Sequence, residues 1–130
     1  MADVTVKRTE DFEPIYHGGM LRARAGLGVT SFGMQILRLP PNTDRYPEHD
    51  HSASGQEEVF TVLDGAVTLL AGDEEYRLEP GAFARIGPNE NRKLLTGDEG
   101  ATVLALGGVP GAPFEPVTYT NEGEPDPLDG

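Results

Sequence analysis

The sequence predicts an all-β fold, an antiparallel sandwich or barrel of short strands. Three observations carry that prediction. Turn signals recur at Asp64-Gly65, Gly72-Asp73, Pro80-Gly81, Gly87-Pro88 and Gly97-Asp98, at intervals of roughly eight residues, the spacing of antiparallel all-β chains. The stretches between them are short and rich in β-branched and apolar residues. No window carries a sustained apolar stripe of helical period, so helix content is expected to be low.

In chain order, residues 1–20 form a polar N-terminal arm, and the alternating Val4-Thr5-Val6-Lys7 reads as an edge strand added to a neighbour. Leu21 to Ala25 alternates apolar and basic residues and predicts a strand, with Arg22 and Arg24 on one solvated face. Arg38 and Arg85 are expected on solvated faces as well. Val29 to Leu39 is apolar on both faces, as in a central strand, and Pro40-Pro41-Asn42-Thr43 ends it because prolines remove donors and fix φ. Further strands follow over Val59–Leu63, Ala66–Leu70, Tyr76–Leu78, Ala82–Ile86, Arg92–Leu95 and Thr102–Leu106. Tyr16, Phe32, Met34 and Phe83 are expected in the core or along a cavity wall. Residues 109–120 are extended and Pro-rich, packing Phe114, Val117 and Tyr119 on the barrel or a partner subunit. Residues 121–130 carry Glu122, Glu124, Asp126 and Asp129 and predict a loose, disordered acidic tail.

Composition bounds function. The chain has 130 residues, enough for one domain with its own core. Ten basic against 22 acidic residues give a formal charge of −12, which argues against a nucleic-acid groove or an anionic membrane surface as partner. There is no cysteine, which excludes disulfides, thiolate ligands and a cysteine nucleophile. The first twenty residues hold no apolar signal region, and no run is long enough to span a membrane. A soluble cytoplasmic protein is the expectation.

The chemistry concentrates between Tyr46 and Gly65. His49 and His51 are two apart, so on extended backbone both rings leave one face while Asp50 points away. Glu58 opens an alternating run in which Glu58, Phe60 and Val62 share a face. If the two segments pair, two imidazoles and a carboxylate converge near the mouth of a barrel, a donor set suited to a divalent transition metal such as Mn, Fe, Ni or Zn. Gln56 stands beside them as a candidate ligand-binding amide, and His17, in a glycine loop, as a candidate replacement ligand.

His49-x-His51, then Glu58, then six residues to Gly65 resembles the first motif of the cupin superfamily, H-x-H-x(3,4)-E-x(6)-G, with a longer gap between His51 and Glu58. The stretch Gly81 to Arg92 is similar to part of the second motif, with its Pro88 turn; Asn89 stands where the family usually has Gly, and Arg92 where it has a fourth ligand, His. The resemblance covers roughly residues 21–108. It implies a single-domain cupin barrel, a double-stranded jelly roll, and a homodimer. A guanidinium cannot ligate a metal. Arg92 is therefore expected to anchor the carboxylate of a small polar or acidic ligand, or to form an ion pair with a strand-face acid such as Glu90. The function expected is divalent-metal binding through His49, His51 and Glu58, with a small-molecule ligand in the barrel. A metal-dependent oxygenase or isomerase and a metal-free binding or sensing module both remain open.

Overall fold

The structure is a computed structural model that describes residues 2–129; Met1 and Gly130, the outermost residues of the predicted arm and tail, lie outside the described residues. Seven strands form one antiparallel sheet that curls into a barrel: β1 (Pro14–Ile15), β2 (Met20–Leu21), β3 (Gly33–Leu39), β4 (Glu57–Ala71), β5 (Glu74–Leu78), β6 (Phe83–Ile86) and β7 (Arg92–Gly108). The sheet order is β1-β2-β3-β7-β4-β5, with β6 pairing β4. The long strands β4 and β7 run antiparallel from Glu57↔Gly108 to Ala71↔Arg92 and form the spine.

Both spine strands are longer than the punctuation suggested. Asp64-Gly65 and Gly97-Asp98 are not turns between strands but irregularities inside β4 and β7, where the register shifts between Val62 and Asp64 and again between Gly65 and Val67. A bulge of this kind changes which parity of residues faces inward. Before it, Phe60 and Val62 enter the core; after it, Val67 and Leu69 do. The fold needs glycine at position 65: φ is +77°, and a Cβ there would run into the Gly100 carbonyl.

The core fills the barrel with Leu37, Phe60, Val62, Val67, Leu69, Leu78, Ile86, Leu94 and Val103, all buried. Each such side chain contributes about 1.5–3 kcal/mol of transfer free energy. A second cluster, Phe12, Leu21, Ala23 and Ile36, covers the outer face of β3.

The N-terminal region departs from expectation. Val4 and Val6 pair with nothing and are 72% and 87% exposed. The predicted strand over residues 21–25 is instead the end of β2 followed by a short helix, α1 (Ala23–Leu27). Ala, Arg and Leu are strong helix formers, and Gly28 at φ 81° supplies the left-handed C-cap. Arg22 and Arg24 are buried rather than solvated. The acidic segment carries local structure and contacts. Residues 118–120 form a 3-10 turn, and the segment after it folds back onto Glu13, His17 and Arg22. Phe83 and Phe32 are 73% and 39% exposed and lie outside the core, while Phe83 lines a surface cavity with Tyr76, Leu78 and Ile86. No helix among the described residues is long and apolar enough to cross a membrane.

Candidate functional site

The loop between β3 and β4 carries the histidines and is laced to the start of β7. Thr43 and Thr96 exchange hydrogen bonds, the Thr43 N–H donating to Thr96 Oγ1 and the Thr96 N–H to the Thr43 carbonyl. His49 and Arg92 form an isolated antiparallel bridge, with N–H···O distances of 3.1 and 2.9 Å. The His51 N–H donates to the Pro88 carbonyl at 2.9 Å. The long gap before Glu58 is a compact turn over residues 52–55, closed by the Gly55 N–H on the His51 carbonyl and an Asp50 carboxylate accepting from Ser52. Glu58 then sits inside β4 between β6 and β7, opposite Ile86 and Gly107.

His49, His51 and Glu58 each place a donor atom within 4.8 Å of the others. The two imidazole rings meet edge to face at 5.0 Å. His49 donates its Nδ1 proton to the Pro47 carbonyl at 2.8 Å, which leaves Nε2 with a free lone pair. That arrangement is the backbone-oriented tautomer of a metal-ligating histidine. His51 Nε2 is buried without a hydrogen-bond partner and stands 3.6 Å from Glu58 Oε1. A buried, unpartnered nitrogen facing a carboxylate is the feature a cation would satisfy, so the donor set fits a divalent metal.

Arg92 forms the expected ion pair with a strand acid, but the acid is Glu58 on β4 rather than Glu90. Its side chain is fully buried, with Nη1 donating to Glu58 Oε1 at 2.8 Å and Nη2 to the carbonyls of Gly87 and Glu90 at 2.7 and 2.9 Å. It meets the main chain of Glu90, not its carboxylate, and is turned toward Glu58 rather than toward an incoming ligand. Burial, the strongest single influence, raises the Glu58 carboxyl pKa. The His51 ring 3.6 Å away, together with the hydrogen bond and charge of Arg92, outweighs it and holds the group below the usual carboxylate range. Glu58 is therefore an anion at neutral pH.

The trio opens into a cavity of about 1060 Å³ that also takes in Tyr16, Met34, Tyr46, Gln56 and Tyr119. Gln56 lies along the Gly107 backbone, and a side chain at position 107 would collide with its amide. Tyr46 packs between the His49 ring, tilted at 5.5 Å, and the Phe60 ring, edge to face at 6.4 Å, and burial pushes its phenol pKa up. Tyr119 arrives from the C-terminal segment, edge-on to Tyr16 at 5.8 Å, and burial pushes its phenol up to about 12. Tyr46 carried no local signal beyond its place before the motif. Tyr119 was visible only as an apolar ring in a Pro-rich stretch. His17 belongs elsewhere: its Nε2 meets Asp129 Oδ1 at 3.0 Å, and with Asp126 they make a separate surface cluster.

A jelly-roll barrel with two histidines and a glutamate gathered at one cavity defines a class of small barrels whose donor set could hold a metal ion. The Cupin domain model matches residues 35–107, more than half of the chain, and the chain belongs to the cupin family. No curated protein matches its sequence significantly. Among solved structures it is similar to a cupin-superfamily sugar phosphate isomerase from Silicibacter pomeroyi, with a TM-score of 0.61 and 27% identity over 69% of this chain and 59% of that one. This chain thus spans less than two thirds of that relative. A cupin protein from Bacteroides fragilis aligns over 95% of this chain and 98% of its own, with a TM-score of 0.68 and 21% identity, a likeness of fold. The DMSP lyase DddQ from Ruegeria pomeroyi aligns over 73% of this chain and 46% of its own, with a TM-score of 0.55 and 26% identity.

Proposed function

We propose that this cupin binds one divalent transition metal ion, Mn, Fe, Ni or Zn, through His49, His51 and Glu58, and takes a small polar or acidic molecule into the cavity beside it. The observation that carries the reading is the buried, unpartnered His51 Nε2 facing Glu58, with His49 already oriented by the Pro47 carbonyl. Three protein donors leave positions of the ion open to water or ligand. When bound, the ion supplies a Lewis acid. An oxygenase or isomerase reaction would use that property, and the sugar phosphate isomerase and DMSP lyase similar in structure are enzymes by name. Binding alone does not require turnover.

One observation favours a metal-free binding or sensing module instead. Glu58 Oε1 already accepts from Arg92 at 2.8 Å, so the buried carboxylate is neutralised without an ion. Metal analysis of protein purified without a histidine tag separates the two readings. Near one equivalent of metal after incubation with Mn, Fe, Ni and Zn salts, and affinity weakened about a hundredfold or more by His51→Ala, is the expected result. Less than about a tenth of an equivalent in the wild-type protein would leave only the metal-free module.

A further inference from the structure

Resting on that metal-binding reading, we propose that the C-terminal strap, residues 113–129, is the gate of the cavity that holds His49, His51 and Glu58, and that Tyr119 is the side chain with which it closes. Tyr119 and Leu128 line the same cavity as the three donors. The strap is thus a wall of the site rather than a passive tail.

What holds the strap is polar. Buried Arg22 donates from Nε to the Tyr119 carbonyl and from Nη2 to the Glu124 carbonyl, both at 2.8 Å, and buried Arg24 donates from Nη2 to Asn121 Oδ1 at 2.6 Å. Glu13 accepts from the Gly123 N–H at 3.0 Å and pairs with Arg22. At the far end, the His17 N–H donates to Asp126 Oδ2 at 3.1 Å and its ring meets Asp129 Oδ1 at 3.0 Å. Among the described residues no strand follows Gly108, and Glu115, Val117, Glu122, Glu124 and Leu128 are exposed. A segment with few buried apolar contacts, held by side-chain hydrogen bonds of which those at Glu13 and His17 are exposed, opens at lower cost than a strand ladder. The opposing walls are such ladders, β3 on β7 and β7 on β4. The strap is therefore the element that moves.

The loop that receives the strap is strained. Tyr16 and His17 are successive non-glycine residues in the left-handed region, each at φ 53°. Such conformations persist where surrounding contacts over-determine them. Here those contacts come from the strap: Tyr119 against Tyr16, and Asp126 and Asp129 on His17. Opening the gate removes what holds the loop, so strap and loop are expected to move together.

The test uses the full chain loaded with Mn²⁺ and compares wild type with a His17→Ala/Asn121→Ala double variant, which loosens the strap at two points away from the metal donors. EDTA stripping followed by Mn²⁺ EPR in a stopped-flow mixer should be faster in the variant, by roughly fivefold for each lost contact, at unchanged stoichiometry. Equal stripping rates with Mn²⁺ bound in both proteins overturn the gate. Amide hydrogen exchange, run in parallel without metal, needs no ion. Residues 118–128 should exchange faster than β4 and β7 and faster still in the variant. Strap protection equal to that of β4 and β7 overturns the gate even if no Mn²⁺ binds, whereas absence of bound Mn²⁺ alone overturns the metal reading.

Discussion

Arg92 shows how one side chain sets the character of the site. Its guanidinium is fully buried and shares Glu58 with whatever cation enters, so Glu58 carries part of its charge to an internal partner. Removing one member of a buried ion pair strands the other, at a cost of about 3–5 kcal/mol. Arg92→Met is therefore expected to lower stability by that order, measured by urea unfolding. Added Mn²⁺ should recover part of the loss, because the ion replaces the missing positive charge beside Glu58. No recovery at saturating Mn²⁺ would place the ion away from Glu58. Period-2 alternation put His49 and His51 on one face and Glu58 at the head of its strand, but the two segments do not pair directly as expected: the histidine loop is bridged to Arg92 of β7, which pairs β4. The partner of Arg92 was not legible in the same way. It is fixed by the β4–β7 register, which pairs residues far apart along the chain.

Elements were legible to the degree that their signals are local. The β4–β5 hairpin and the turn from β5 into β6 follow their Gly-Asp and Pro-Gly punctuation. The same kind of punctuation at Asp64-Gly65 marks a bulge, and only the crossing of β7 behind it distinguishes the two outcomes. Gly65→Ala tests that account. The substitution forces a left-handed conformation, worth roughly 1–2 kcal/mol, and drives a Cβ into the Gly100 backbone. A destabilisation above about 2 kcal/mol is expected by thermal or urea unfolding, against only the roughly 1–2 kcal/mol of the left-handed conformation if the position were an open turn. The docking of the strap was hidden for another reason. Arg22 and Arg24 look like a solvated strand face until the carbonyls of residues about a hundred positions later reach them. The strap also brings a pH dependence. The hydrogen bond with Asp129, ahead of a smaller opposing effect of burial, raises the His17 pKa, and the charges of Asp129 and Asp126 add to it. A raised cationic pKa means the latch is at full strength below the unfolded value near 6.5 and is lost as pH rises through the folded value. The strap contains no lysine or arginine, so a glutamate-specific protease is the suitable probe. Cleavage within residues 113–129 should accelerate as pH rises above about 6.5 relative to His17→Ala protein, in which that step is absent. Identical pH profiles would remove His17 from the latch.

Taken whole, the molecule sets two opposing forces against each other at its surface. Val4 and Val6 form an unpaired, exposed alternating segment, and Phe83 on edge strand β6 is 73% exposed. Unpaired edges and exposed apolar side chains favour a partner, and a second copy of the chain is the simplest one. Against that stands a formal charge of −12 on each chain, so two copies repel until counterions screen them. At about 0.1 M ionic strength the screening length is roughly 10 Å, short enough for an apolar contact to prevail over charges beyond it. The expectation is a homodimer that tightens as salt rises, opposite to an interface held by ion pairs. Light scattering across a salt series reads this directly. Val4→Glu/Val6→Glu and Phe83→Glu, both at exposed positions that leave the core intact, should each shift the population toward monomer if their segment lies in the contact. A wild-type chain that stays monomeric at every salt concentration would show that the charge prevails and that these side chains meet only solvent.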